Sequence, residues 1–126
     1  MAKKILIVDD DELLLGIYAK NFRDKDFEVL TARDGKEAWD IISAGNIVDI
    51  IFTGITMPRM TGFELIAKLQ ADPKLAHIPV AINSHRGRPE DEELAKGLMV
   101  DDFIIQGVTT PAEAVRRIEL ILGIKN

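Results

Sequence analysis

The sequence predicts an α/β fold: five βα units forming a doubly wound, five-stranded parallel sheet with helices on both faces. Three observations predict it. Five short, almost wholly apolar runs recur along the chain, as suits strands covered on both faces. Stretches with three- and four-residue apolar spacing alternate with them. No linker, internal repeat or low-complexity segment interrupts the alternation, so residues 1–126 are expected to form a single domain.

The first run is Lys4-Ile5-Leu6-Ile7-Val8, ending in acids, and Leu14, Ile17, Tyr18 and Phe22 form the stripe that follows. Glu28–Ala32 is the second run, followed by a helix with Ala38, Ile41 and Ile42 inward and Gly45 as its stop. Asp49–Thr53 is the third, followed by Phe63, Ile66 and Leu69. Pro79–Asn83 is the fourth, followed by Leu94 and Leu98. Asp102–Ile105 is the fifth. Val115, Ile118 and Leu122 make the last stripe, with Thr110 as cap, Pro111 in the first turn and Gly123 at the end.

Composition narrows the function. The chain is 47% apolar with a net charge of −5, which gives no footprint for nucleic acid or an anionic membrane surface. Without cysteine there is neither a disulfide nor a thiolate metal site. No apolar run approaches the roughly 18 residues of a membrane span. The first strand begins at Lys3 or Lys4, leaving no room for a signal peptide, so a cytoplasmic location is expected.

In open α/β sheets ligands bind beyond the carboxyl ends of the strands. There the chain offers Asp9 and Asp10, a hard-cation pair of the Mg²⁺ kind, then Gly54, Ser84 and Gln106. Asp11 and Glu12 suit the start of the next helix. Pro58 and Gly62 read as turn residues in the crossover after the third strand.

Here a resemblance becomes specific. Ile5-Leu6-Ile7-Val8-Asp9-Asp10, Met57-Pro58-Arg59-Met60-Thr61-Gly62 and Asp101-Asp102-Phe103 resemble, in register, the response-regulator receiver domains (CheY-like) of two-component systems. The gaps of 44 residues from Asp10 to Gly54, 30 to Ser84 and 22 to Gln106 are similar to the family's spacing. The resemblance implies the flavodoxin-like strand order 2-1-3-4-5. It also implies Mg²⁺ on Asp9, Asp10 and the carbonyl of Thr56, a switch hydroxyl at Ser84 and a switch aromatic at Phe103. It implies partners, a histidine kinase or a downstream effector, meeting the fourth helix, fifth strand and fifth helix.

The chain departs from that pattern at its centre. Gly54 stands at the phosphoacceptor aspartate and supplies no nucleophile. Gln106 stands at the lysine and carries no charge. Gly107 replaces the following proline, and Leu98-Met99-Val100 replaces a small, glycine-containing stretch, so residues 98–107 are expected to form an altered loop. Losing aspartate and lysine together leaves the formal charge of the site at −2, as in a complete one, which points to an inherited degenerate site over an engineered variant. Asp9 and Asp10 are then expected to lack a compensating cation and to bind Mg²⁺ weakly.

Other residues near the site carry ordinary readings. Thr53, Thr56 and His85 are poor substitute acceptors, with Thr53 turned away by strand alternation. His77 reads as surface, and Trp39 as the edge of a helix stripe. Arg86-Gly87-Arg88-Pro89 is a basic turn, and the acids at 90–93 complement the next helix dipole; both are expected to influence partner choice. The leading expectation is therefore a non-enzymatic, phosphorylation-independent signalling module that acts by protein–protein interaction. The alternative is a switch set by a residual cation or small ligand at the strand ends. An enzyme is disfavoured: the first strand lacks a glycine-rich dinucleotide turn, and no Ser-His-carboxylate set falls at matching strand ends.

Overall fold

A computed structural model describes residues 2–124. Met1, Lys125 and Asn126 of the expected 1–126 unit lie outside the described residues. The elements in chain order are β1 (Lys4–Val8), α1 (Glu12–Arg23), β2 (Glu28–Ala32), α2 (Gly35–Ser43) and β3 (Ile50–Thr53). They continue with α3 (Gly62–Ala71), β4 (Val80–Ser84), α4 (Pro89–Gly97), β5 (Asp102–Ile105) and α5 (Pro111–Ile121). The strands form one parallel sheet in the order β2-β1-β3-β4-β5, as the sequence predicts. The order reverses between β1 and β3, so the ends of these two strands flank the cleft in which such sheets bind ligands.

Alternation along each strand divides the interior in two. Ile5, Ile7, Ile50, Phe52, Ala81 and Ile104 face α1 and α5, where Tyr18 and Phe22 pack edge-on against Phe52 at centroid distances of 5.2 and 6.2 Å. Leu6, Val8, Ile51, Val80 and Ile82 face the other way, onto Ala38, Ile42, Leu65, Ile66, Leu69 and Ala95. Burying each large aliphatic or aromatic side chain contributes about 1.5–3 kcal/mol, which makes these two layers the rigid frame for the strand ends.

The helix caps follow the sequence. Asp11 accepts from Leu14 N–H, Asp34 from Glu37 N–H, and Thr61 and Thr110 form reciprocal capping boxes with Glu64 and Glu113. Pro111 opens α5, and Gly45 and Gly123 follow their helices with φ of 102° and 73°. Helix α4 has no side-chain cap; Pro89 opens it, and Glu90, Asp91 and Glu92 face its positive end.

Several sequence assignments shift. Ile17 is 40% exposed, because α1 packs through Leu14, Leu15, Tyr18, Ala19 and Phe22. Leu94 is 54% exposed; the short side chain of Ala95 brings α4 onto the sheet, and Leu98 falls beyond the last turn. Asp49 precedes β3 and pins it by accepting from Lys4 N–H at 2.8 Å. The fourth strand runs one residue later than its apolar run, so Ser84 lies inside β4, paired with Ile105. Met99 takes a left-handed φ of 58° after α4, a conformation that strains a residue bearing a Cβ by about 1–2 kcal/mol. Trp39 is half-buried at the stripe edge, with Lys68 Nζ 4.9 Å from its ring centroid.

Candidate functional site

A cleft of about 260 Å³ opens at the carboxyl ends of β1, β3 and β4. Asp9 continues β1: its N–H donates to Ala32 O at 3.1 Å, which holds its carboxylate just beyond the sheet at 2% residue exposure. A buried carboxylate needs hydrogen-bond donors, and the chain supplies one to each oxygen. Asp11 N–H donates to Oδ1 at 2.9 Å, and His85 Nε2 lies 3.1 Å from Oδ2. Asp10 lines the same cleft and is exposed, as is Thr56.

Gly54 forms the floor after β3, with its N–H on Val8 O at 2.8 Å. Its backbone does not require glycine: an added Cβ would meet only ordinary contacts, the nearest being Asp9 Oδ2 at 3.5 Å. Gly62 is different. A Cβ there would collide with the carbonyl oxygen of Gly54, so the first turn of α3 can close on the strand end only through glycine. The role of Gly62 is thus close approach, where the sequence suggested a turn.

Ser84, at the end of β4, is buried, and its hydroxyl accepts from Gly87 N–H at 2.8 Å. That bond folds the loop carrying His85, Arg86 and Arg88 back over the cleft, and all three line it. The loop thus brings two basic residues to the rim of a cleft where the sequence led us to expect no compensating cation. With Asp9, Asp10 and Asp91 the two arginines give the cleft lining a formal −1 with His85 neutral, and among the described residues only His85 contacts one of these carboxylates as an ion-pair partner. The signal was present in Arg86-Gly87-Arg88, directly after a strand end, but sequence alone read it as partner surface.

Gln106 does not line this cleft. It lies in a separate groove between α1 and the β5–α5 turn, beside Leu14, Ile17, Tyr18 and Pro111. Gln106 Oε1 and Asn83 Oδ1 are buried without a hydrogen-bond partner among the described residues. Burial raises the pKa of the Tyr18 phenol, the charge of Asp9 raises it further, and a hydrogen bond from Asn83 opposes them. Polar groups thus reach below the cleft into the α1–α5 layer. Asn83 and Tyr18 were missed by sequence reasoning, which scored them as strand and stripe positions. Phe103 is half-buried in a groove between α4, β5 and α5 with Asp102 and Arg117, apart from the cleft. Thr53 is fully buried, its hydroxyl on Gly54 O at 3.0 Å, and so faces away from the cleft.

The residues present fit Mg²⁺ poorly in this arrangement. The ion requires near-octahedral oxygen ligands. Here Asp9 has both oxygens engaged by the chain, position 54 offers no carboxylate, and no three His, Asp or Glu side chains converge as a metal set among the described residues.

The comparisons with known proteins agree with the fold and the family resemblance. The chain is 37% identical over 119 residues to Response regulator GtcR of Aneurinibacillus migulanus, covering 94% of this chain and 47% of that one. It thus spans about half the length of that relative. It is 29% identical to Chemotaxis protein CheY1 of Helicobacter pylori strain J99, over 95% of this chain and 97% of the other. Among solved structures, the chemotaxis response regulator CheY4 of Vibrio cholerae superposes with a TM-score of 0.86 at 23% identity, covering 96% and 99% of the two chains. Residues 5–118 match the family model described as "Response regulator receiver domain". With that match across most of its length, the chain belongs to the response-regulator receiver domain family of two-component signalling.

Proposed function

We propose that this receiver domain takes no phosphoryl group and signals by docking a protein partner in a single resting conformation. One observation carries the reading: the floor of the strand-end cleft is Gly54, with no side chain to attack a phosphodonor. The other candidate acceptors are poorly suited. Thr53 is buried and turned away, and His85 has its Nε2 on Asp9. Thr56 lines the cleft, but no basic group is seen on its hydroxyl among the described residues. On this reading the domain is a single non-enzymatic module that works in the cytoplasm, beside a histidine kinase or a downstream effector.

The partner face is α4, β5 and α5. Arg117 grips Asp102 side-on, with Nε and Nη2 each donating to one carboxylate oxygen, and its Nη1 donates to Thr109 Oγ1 at 3.3 Å, which fastens α5 to β5 beside Phe103. Leu94 on α4 and Leu120 on α5 are exposed and supply apolar contacts. The test is intact mass after incubation with a small phosphodonor and Mg²⁺, run beside a Gly54→Asp/Gln106→Lys double variant. No mass gain in the parent, with one phosphoryl group on the variant, is the expected result. A phosphoryl group on the parent overturns the reading and directs mapping to Thr56 and His85.

A further inference from the structure

We infer that His85 has taken the place of the divalent cation on Asp9, so that the cleft is closed by its own β4–α4 loop and a metal is kept off. The inference stands apart from whether phosphoryl transfer has been lost, since it concerns only what occupies the buried carboxylate. Asp9 is the most enclosed charged group of the cleft, with its side chain 3% exposed against 42% for His85. A carboxylate in that position needs donors or a cation. Asp11 N–H takes one oxygen and His85 Nε2 approaches the other at 3.1 Å, on the side that faces the cleft. Asp9 Oδ2 is also the oxygen that a Cβ at position 54 would approach most closely. It therefore points at the place where the missing third carboxylate would converge on a metal.

A cation that binds Asp9 Oδ2 must first displace the imidazole. Because His85 directly follows Ser84, whose hydroxyl holds Gly87 N–H, the ring is presented by a loop already folded over the cleft. Arg86 and Arg88 line the same cleft and further disfavour an incoming dication. The result is a tether between the end of β1 and the segment leading into α4, made by a side chain where other receivers have room for an ion.

The test is Mg²⁺ binding, followed by the amide NMR signals of Asp9, Asp10 and Ser84 at pH 7. It uses Gly54→Asp, which restores the third carboxylate, and Gly54→Asp/His85→Ala, which also frees Asp9. Displacing a hydrogen bond to a charged group weakens a competing ligand by about tenfold or more. Removing His85 is therefore expected to tighten Mg²⁺ by at least about tenfold in that background. In His85→Ala alone, hydrogen exchange of amides 85–92 is expected to quicken as the tether is lost. Equal Mg²⁺ affinity with and without His85, or no Mg²⁺ binding by either Gly54→Asp chain, overturns the inference. Neither result bears on phosphoryl uptake by the parent, which the mass measurement reads separately.

Discussion

Placing a carboxylate at position 54 should destabilise the fold through charge alone. A Cβ on Gly54 meets Asp9 Oδ2 at 3.5 Å, Val8 O at 3.6 Å and Met57 Sδ at 3.7 Å, and the backbone there has no left-handed φ. An uncharged side chain is thus tolerated at its first atom. Replacing glycine also gains about 0.4–1 kcal/mol by restricting the unfolded chain. Aspartate adds a negative charge beside a buried one. Two unit charges roughly 5 Å apart at an effective dielectric constant of about 20 repel by about 3 kcal/mol. The guanidiniums of Arg86 and Arg88 and the imidazole on Asp9 offset part of this, which leaves about 1–3 kcal/mol. Urea denaturation at pH 7 and low salt, comparing Gly54→Asn with Gly54→Asp, isolates the charge. The asparagine variant should equal or exceed the parent, and the aspartate variant should fall about 1–3 kcal/mol below the asparagine one. Two equal midpoints at equal slope would refute the repulsion.

Two further outcomes follow from the surroundings of the cleft. Gly62→Ala drives a methyl group into the Gly54 carbonyl and should lower stability by about 1–3 kcal/mol, as overpacking does; an unchanged urea midpoint would show that α3 can draw back freely. Asp34 caps α2, and although burial alone would raise its pKa, the Glu37 amide and the Arg59 guanidinium together hold it below the usual carboxylate value. A depressed carboxylate stabilises the fold above its unfolded pKa of about 3.9, and that contribution fades as pH falls through the folded value. Asp34→Asn, which keeps a good cap but loses the charge, should therefore be less stable by about 0.5–1 kcal/mol at pH 7. That deficit should shrink below about pH 4. A deficit that is the same at pH 3 and pH 7 would assign it to the cap geometry instead.

Much of this architecture is legible in the chain because it rests on local periodicity. Ile5-Leu6-Ile7-Val8 is apolar on both faces, so it requires cover on both sides and reads as a buried parallel strand. The caps at Thr61 and Thr110 announce themselves through Glu64 and Glu113 three residues on. Misreadings occurred where the period was weak. In α4 the acidic sequence left Leu94 as the obvious inward residue, while close packing on the sheet chose Ala95. In β4 the apolar run and the ladder differ by one residue, because pairing with Ile105 extends the strand to Ser84.

The sequence by itself determined the alternation of strands and helices, the motifs that resemble the family, and the absence of a side-chain nucleophile at Gly54, since each depends on pattern, motif or residue identity. Only the tertiary structure decided what surrounds that glycine. It brings His85 onto Asp9 across 76 positions, sets Arg86 and Arg88 around the cleft, and sends Gln106 to a groove on the α1 side. The physical reason is that local spacing fixes which face of an element is apolar. Where a loop side chain settles depends on donors and charges from distant strands, which meet only when the sheet has formed.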